Sequence, residues 1–402
     1  MHAWWQPCGV LRRFVIDLLA DELARQRRAA VPHGAQWRDE ARLDEDLGVD
    51  SLELMSLAIA LAEALHLYES GIEDYLLARR TVGEWVQISQ AGLERHSARL
   101  TFRTSGSTGV PKACTHALAT LLQETQHLAT LLPRRKRVLC AVPSHHIYGF
   151  LFSVLLPQQL GLDAEDVIDL RGSTPAWLAR GAQPGDLVIG FPDFWQAVGR
   201  TVPSLPPDVV GVTSTAPCPD AVSEAVEASG IARLVHVYGA SETAGIAARN
   251  SHREPYTLFP YWRLGDDDTL VRGMPEGGEA VHWPQDALQD CGGGTFRVGP
   301  RRDQAVQVGG INVFPLRVRE VLKRHPAVQD AAVRLMRPEE GTRLKAFVVP
   351  KPGHAGVPAL VEELQAWTMK ELTAPERPKA ICIGNALPFT PGGKLADWEL
   401  PR

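Results

Sequence analysis

The sequence predicts an α/β chain in three parts: a helical segment, a core built on a largely parallel sheet, and a smaller α+β unit. Three observations carry this prediction. From Leu100 onward, short β-rich runs alternate with helical stretches, the pattern of strands joined by helical crossovers. Before that point apolar residues recur at helical spacing. Near Val306 the texture changes again, to short strands with two further helices.

Val10 to Arg28 sets Leu11, Phe14, Val15, Leu18, Leu19 and Leu23 on one stripe, and Ser51 to Leu67 repeats the pattern with a wider apolar face. A shorter helix is expected over Ile72 to Leu77, with another from Thr81 to Ile88. The expected strands of the core are Leu100–Phe102, Val138–Val142, Asp186–Ile189, Val209–Val212 and Leu234–Val237. Beyond Val306 come a helix at Leu316–Arg324, strands at Asp330–Leu335 and Arg343–Val349, and a helix at Leu360–Leu372. These readings divide the chain into residues 1–95, 100–300 and 303–402, with a boundary at Pro300 to Asp303. Pro203 to Pro207 and Gly292–Gly294 read as loops.

At 402 residues and 45% hydrophobic the chain can bury more than one core. Forty-two Lys and Arg stand against 47 Asp and Glu, a net charge of −5, so there is no basic field for nucleic acid. The longest apolar runs, Leu151–Leu156 and Ala58–Leu65, are interrupted by Ser153 and Glu63. They fall far short of the roughly 18 residues of a membrane span. The N-terminus lacks the charge-then-hydrophobe order of a signal peptide, which predicts a cytoplasmic protein. The six cysteines, at 8, 114, 140, 218, 291 and 382, are scattered without a CxxC or Cys/His cluster, against both a disulfide framework and a zinc site.

The strongest local signal is Thr104-Ser-Gly-Ser-Thr-Gly-Val-Pro-Lys112, directly after an expected strand. Small hydroxyl and glycine residues let backbone N–H groups close around phosphate oxygens, and Lys112 adds a positive charge. The order of a Walker A loop is absent, and taken alone a serine- and glycine-rich turn is more often only a turn.

The nonapeptide gains meaning from its company. It resembles the phosphate loop of the adenylate-forming superfamily, which joins acyl-CoA synthetases, aryl-CoA ligases and peptide-synthetase adenylation domains. Downstream, Pro143-Ser-His-His-Ile-Tyr-Gly149 is similar to that family's histidine and aromatic motif, with His146 in the histidine position. Ser214-Thr-Ala-Pro217 resembles the loop that packs on adenine. Tyr238-Gly-Ala-Ser-Glu-Thr243 resembles the loop whose tyrosine stacks on adenine and whose glutamate, here Glu242, holds magnesium.

Arg301-Arg-Asp303 and Val308-Gly-Gly-Ile-Asn-Val-Phe-Pro315 resemble the hinge and the glycine stretch of the thiol channel, which implicates Asp303, Gly309 and Gly310. Asp286 falls where the family places its ribose-binding aspartate, although Pro284-Gln285 replaces the usual Thr-Gly. Leu387-Pro-Phe-Thr-Pro-Gly-Gly-Lys394 resembles the C-terminal lysine motif.

The resemblance implies catalytic roles for Lys394 and His146 and a metal role for Glu242. It implies nucleotide binding by Thr104, Ser105, Gly106, Ser107, Thr108, Gly109, Lys112, Thr215, Ala216, Pro217, Tyr238, Gly239, Ser241, Asp286 and Arg301. ATP and Mg²⁺ are the implied cofactors. Such chemistry suits these residue types. A carboxylate must displace pyrophosphate from ATP, and the charge developing on the phosphoryl group calls for Lys394 and for Mg²⁺ on Glu242. After the C-terminal unit swings about Asp303, a thiol attacks the adenylate. Taken singly, His146 reads as a core histidine, Lys394 as a solvated loop lysine, and Glu242 as a residue of a helix's first turn.

In the helical segment, Leu43-Asp-Glu-Asp-Leu-Gly-Val-Asp-Ser51-Leu-Glu-Leu resembles the phosphopantetheine attachment site of acyl carrier proteins. Thr81-Val-Gly-Glu-Trp-Val86 resembles the carrier's last segment. The implied cofactor is 4′-phosphopantetheine on Ser51, although a bare Asp-Ser-Leu is most often an ordinary N-cap. The region usual before the family's phosphate loop is much longer than here, so part of the pocket wall must come from elsewhere. A bundle that has lost its carrier role and serves only as that wall is the alternative.

The compact arrangement resembles the hydroxybenzoate-activating ligases of xanthomonadin and aryl-polyene pigment pathways, and the 4-coumarate ligases of photoactive yellow protein activation. The expected function is ATP-dependent activation of an aromatic acid, 3- or 4-hydroxybenzoate first, with transfer to a phosphopantetheine thiol of an acyl carrier protein. A 4-coumarate–CoA ligase is the alternative. A third reading, an inactive module that binds an aryl acid or nucleotide, is disfavoured by the intact set of Lys394, Glu242, Arg301 and the phosphate loop. His145, Tyr148, Phe191, Thr215, Ala240 and Gly245 are the residues expected to line a pocket for a flat phenolic ring.

Overall fold

The computed structural model describes residues 3–27, 29, 31, 37–104, 112–302, 305–309, 311–352, 357–389 and 395–400. Two compact units divide at Gly299 and Pro300.

The first unit opens with α1 (Val10–Arg27), α2 (Ser51–Leu65), the single turn α3 (Tyr75–Ala78) and α4 (Val82–Arg95). Asp50 starts α2: its carboxylate accepts the N–H groups of Leu52 and Glu53, while the Glu53 side chain returns to the Asp50 N–H. Thr81 and Glu84 form the same reciprocal cap on α4, and each cap satisfies donors that a helix start leaves over. α2 ends at His66, where φ is +53°. The expected helix over Ile72 to Leu77 contracts to α3, and the one starting at Thr81 extends to Arg95.

β1 (Arg99–Thr104) and β2 (Lys112–Ala117) pair antiparallel, and α5 (Leu118–Leu131) follows. Then come β3 (Arg137–Cys140), the turns α6 (Ile147–Phe150), α7 (Leu156–Gln159) and α8 (Leu178–Gly181), with β4 (Val167–Asp169) before α8. β5 (Asp186–Gly190), α9 (Pro192–Thr201), β6 (Val210–Thr213), α10 (Asp220–Ala228) and β7 (Arg233–Ala240) complete the alternating part. Strands β7, β6, β5, β3 and β4 run parallel in that order.

The sheet continues past β7 through antiparallel β8 (Ala244–Arg249) and β9 (Tyr256–Leu258). A separate small sheet holds β10 (Trp262–Leu264), β11 (Leu270–Gly273) and β12 (Glu279–His282). β13 (Asp286–Gly292) and β14 (Thr295–Arg301) close the far edge of the large sheet.

The division expected between residues 95 and 100 coincides with no break in packing. Trp4, Phe14, Phe102 and Phe150 belong to one buried cluster; the Trp4 and Phe14 rings lie 4.9 and 5.7 Å from that of Phe150. Polar links follow the same seam. Asp17 accepts the Ser144 N–H at 2.8 Å, the Ser144 hydroxyl at 2.6 Å and Arg171 at 2.7 Å. Arg13 donates to the Ser153 carbonyl at 2.6 Å, and Arg103 on β1 reaches Glu63 on α2. The helices are therefore a wall of the first unit's own core.

The second unit contains the hairpin β15 (Val306–Val308) and β16 (Ile311–Val313), then α11 (Pro315–Lys323), β17 (Val328–Leu335), β18 (Leu344–Pro350), α12 (Val357–Glu371) and β19 (Ala380–Ile383). β18 pairs antiparallel with β17 and parallel with β19. Its core gathers Val318, Leu322, Leu344, Ala346, Leu364 and Ile381. Lys345 is fully buried and holds Glu340, Asp397 and the Trp398 carbonyl within 3.0 Å. All six cysteines are free thiols. Among the described residues no helix is long and apolar enough to cross a membrane.

Candidate active site

Several described motif residues of the first unit gather at the carboxyl ends of the parallel strands. His146 follows the carboxyl end of β3, Phe191 that of β5, Thr215 that of β6, and Ala240 to Glu242 that of β7. Outside the carboxyl ends of parallel strands lies the crevice where open α/β sheets bind ligands.

The β1–β2 pairing sets Thr104 directly opposite Lys112, so the two ends of the Thr104–Lys112 motif are brought together. Ser105, Gly106, Ser107, Thr108 and Gly109 lie outside the described residues, as do Asp303, Gly310 and Lys394. Lys112 extends to Glu242, its ammonium 2.9 Å from Oε1. Its hydrogen bond to Glu242 raises the Lys112 pKa above its ordinary value. Two motifs 130 residues apart thus meet at one ion pair. A single half-exposed carboxylate of this kind suits Mg²⁺, which keeps most of its ligands as water and phosphate oxygens.

The loop that carries Glu242 is pinned from beneath on both sides. The His116 ring lies 2.7 Å from the Ser241 carbonyl and donates to it, Arg272 donates to the Thr243 carbonyl, and Trp262 donates to the Gly245 carbonyl at 3.1 Å. Glu124, fully buried, accepts the Gly245 N–H at 3.0 Å. With its flanks fixed, Glu242 faces outward. None of His116, Glu124, Trp262 or Arg272 belongs to a motif; the inward period-two position of His116 on β2 was the one signal available in the sequence.

Tyr238 donates its hydroxyl to Asp286 at 2.9 Å. The expected adenine-stacking and ribose-binding residues are thus neighbours despite the missing Thr-Gly before Asp286. Thr215 has φ of +76°, a costly conformation for a β-branched residue and of the strained kind that collects at binding sites. Ser214 fixes the start of its loop by donating to the Val237 carbonyl. Ala216 is half-buried, Pro217 and Gly239 are exposed, and Ser241 is half-buried. Arg301 ends β14, half-buried. Gly309, φ +58°, begins the β15–β16 turn.

Two residues expected to line the acid pocket are placed otherwise. Tyr148 is buried and turns inward, donating to the Gly190 and Val212 carbonyls at 2.9 and 3.2 Å; it braces the ends of β5 and β6. Gly245 is buried against Glu124, where an added Cβ would come within 2.3 Å of Oε1, so its small size serves packing. Phe191 is half-buried, Ala240 and Thr215 are exposed. The His145 and His146 rings lie tilted against each other with centroids 4.2 Å apart, and His146 is exposed.

Burial pushes the Glu124 carboxyl up to about 8, against the opposing pull of Arg272 and the Gly245 hydrogen bond. Between its ordinary value near 4.5 and about 8 the folded chain keeps a proton that the unfolded chain has released. The stability that depends on this group is therefore full below pH 4.5 and is lost as pH rises toward 8. Glu124→Gln is expected to flatten that decline, measured as the melting temperature across pH 5 to 8.5; an unchanged slope would assign the decline to other groups.

Comparison with known proteins agrees with this arrangement. Residues 89–264 match the family of AMP-binding enzymes, and residues 318–394 match the AMP-binding enzyme C-terminal domain. A 4-coumarate–CoA ligase of Cereibacter sphaeroides is 42% identical over 371 residues, 90% of this chain and 86% of that protein. The chain belongs to the adenylate-forming, AMP-binding enzyme family.

It is an ATP-dependent, AMP-forming acid–thiol ligase. A 4-coumarate–CoA ligase of Rhodobacter capsulatus is 38% identical over 401 residues, 97% of this chain and all of that protein, so the helical segment before β1 is part of the shared length. The fold also matches the amide bond synthetase McbA of Marinactinospora thermotolerans, at 18% identity, TM-score 0.61, and 96% and 92% coverage of the two chains. The o-succinylbenzoate CoA synthetase of Bacillus subtilis matches at 19% identity, TM-score 0.60, and 81% and 72% coverage.

Proposed function

We propose that the ligase activates a hydroxycinnamate, 4-coumarate first, and transfers it to coenzyme A. The observation that carries this reading is the 42% identity to a 4-coumarate–CoA ligase across nine-tenths of the chain. It favours CoA over the carrier-protein acceptor, and coumarate over the hydroxybenzoates, that the sequence motifs suggested.

In the first half-reaction the acid's carboxylate attacks the α-phosphorus of ATP and pyrophosphate leaves. Bound Mg²⁺ supplies charge neutralisation at the phosphates, and Glu242 is the residue to hold it. Lys112 keeps Glu242 aimed before nucleotide arrives, and Tyr238 with Asp286 offers the ribose face of the crevice. Lys394 is assigned to the developing phosphoryl charge. In the second half-reaction the thiol attacks the acyl carbonyl and AMP leaves, with Gly309 and Gly310 assigned to the thiol channel and Asp303 to the hinge.

A carrier reading keeps one supporting feature: Ser51 is exposed at the start of α2, beside exposed Leu52, Met55 and Ile59. The experiment is pyrophosphate release with 4-coumarate, 3- and 4-hydroxybenzoate and a medium-chain fatty acid, with CoA or a pantetheinylated carrier as acceptor. Intact mass after treatment with a phosphopantetheinyl transferase is read in parallel. Release with coumarate and a CoA thioester product is the expected outcome. Acylation of Ser51 would install the carrier reading, and silence with every acid would remove the proposal.

A further inference from the structure

We propose a site for a borderline-soft divalent cation, with zinc as its best occupant, formed by Asp21, His145 and His146. α1 carries Asp17 and Asp21 one turn apart, so both carboxylates face the same way. The β3–α6 loop supplies the two histidines. One ligand atom from each of the three side chains lies within 4.8 Å of the others, and Asp21 Oδ2 stands 3.5 Å from His145 Nε2. That separation is close to the edge of a tetrahedron with ligands about 2.0–2.1 Å from zinc.

The second observation is His145 itself. Its side chain is only 9% exposed, and beyond the Asp21 carboxylate 3.5 Å from Nε2 its buried ring nitrogens have no hydrogen-bond partner. Buried polar atoms are ordinarily satisfied, and a cation on this ring satisfies one of them. Asp17 is committed to Ser144 and Arg171, and Arg171 is also held by Asp169, which leaves Asp21 as the carboxylate aimed at the histidines.

A cavity of about 190 Å³, bordered by Asp17, Asp21, Pro143, His145 and Arg171, adjoins the cluster and gives room for a water as fourth ligand. Two imidazoles and one carboxylate select zinc or cobalt over magnesium, which demands oxygen. Because the motif resemblance assigns His146 to the acid pocket, an occupied site withdraws it and restrains acid activation. Binding stands without the proposed function; only the inhibition depends on it.

The test uses the full-length protein. Cobalt is titrated and read by its visible absorption, then displaced with zinc, for wild type, Asp21→Asn and His145→Gln. One equivalent taken up by wild type and at least tenfold weaker affinity in both variants is expected. Zinc added at fixed Mg²⁺ is expected to suppress acid-dependent pyrophosphate release in wild type, and to spare Asp21→Asn at the same concentration. No stoichiometric uptake, or uptake equal in all three proteins, overturns the site. Uptake lost in the variants with release unaffected by zinc overturns the restraint on acid activation and leaves the site itself standing.

Discussion

Replacing Lys394 with alanine is expected to slow pyrophosphate release at least about a hundredfold, the usual scale for removing one group that stabilises developing charge. Thioester formation from a preformed acyl adenylate should change by no more than a few-fold, because substitution in that step takes place at the acyl carbon and not at the phosphorus to which Lys394 is assigned. The residues on either side of the motif are tied to the second unit's core. Phe389 bridges Leu395, the Ala396 N–H donates to Pro388, and Asp397 and Trp398 are tied to buried Lys345. Burial would raise the Asp397 carboxyl, but Arg334 and Lys345 hold it at about 2, so this anchor stays charged at any working pH. Measuring the two half-reactions separately decides the matter. If both fall together, Lys394 is a folding residue; if neither falls, the phosphoryl charge is met by another group.

The family was legible because adenylate chemistry writes itself in short contiguous stretches. Glycines and hydroxyls around phosphate, Tyr238 through Thr243, and the C-terminal Lys394 motif each sit within a few residues of one another. The alternating core strands were equally plain, being buried on both faces and rich in Val, Ile and Leu. The later strands β8 to β14, which extend the large sheet and form the small separate one, were not, since they are short and carry glycines and exposed polar residues that read as loop. His116, Glu124 and Arg272 escaped notice for a different reason: each acts through burial and a backbone partner far away in sequence, from Ser241 to Gly245, and no local spacing encodes that. Tyr148 and Gly245 show the converse. Both stand in or beside recognisable motifs, yet the fold spends them on packing.

The helical segment poses the sharpest contrast between motif and packing, and Asp17→Ala is expected to settle it by destabilising the chain about 3–5 kcal/mol, the scale for breaking a buried charge cluster. Asp17 and Asp169 balance Arg13 and Arg171 at the seam between α1 and the sheet, and the Arg13 guanidinium pKa is already lowered by burial. Without Asp17, two Ser144 donors lose their acceptor and one cation is left in excess. A loss of that size is a large share of the 5–15 kcal/mol available to a typical fold. Denaturant unfolding of the full chain measures it. Because Ser144 precedes His145 and His146, acid activation should fall in parallel at temperatures where the variant remains folded. Asp17→Asn, which keeps an acceptor for Ser144, should lose less on both counts. Expressing residues 1–98 alone supplies the opposing arm. A segment whose Trp4 and Phe14 need Phe150 should not unfold cooperatively, whereas an independent carrier domain should. A stable fragment together with a silent Asp17→Ala would overturn the shared core and restore the helices as a separate module.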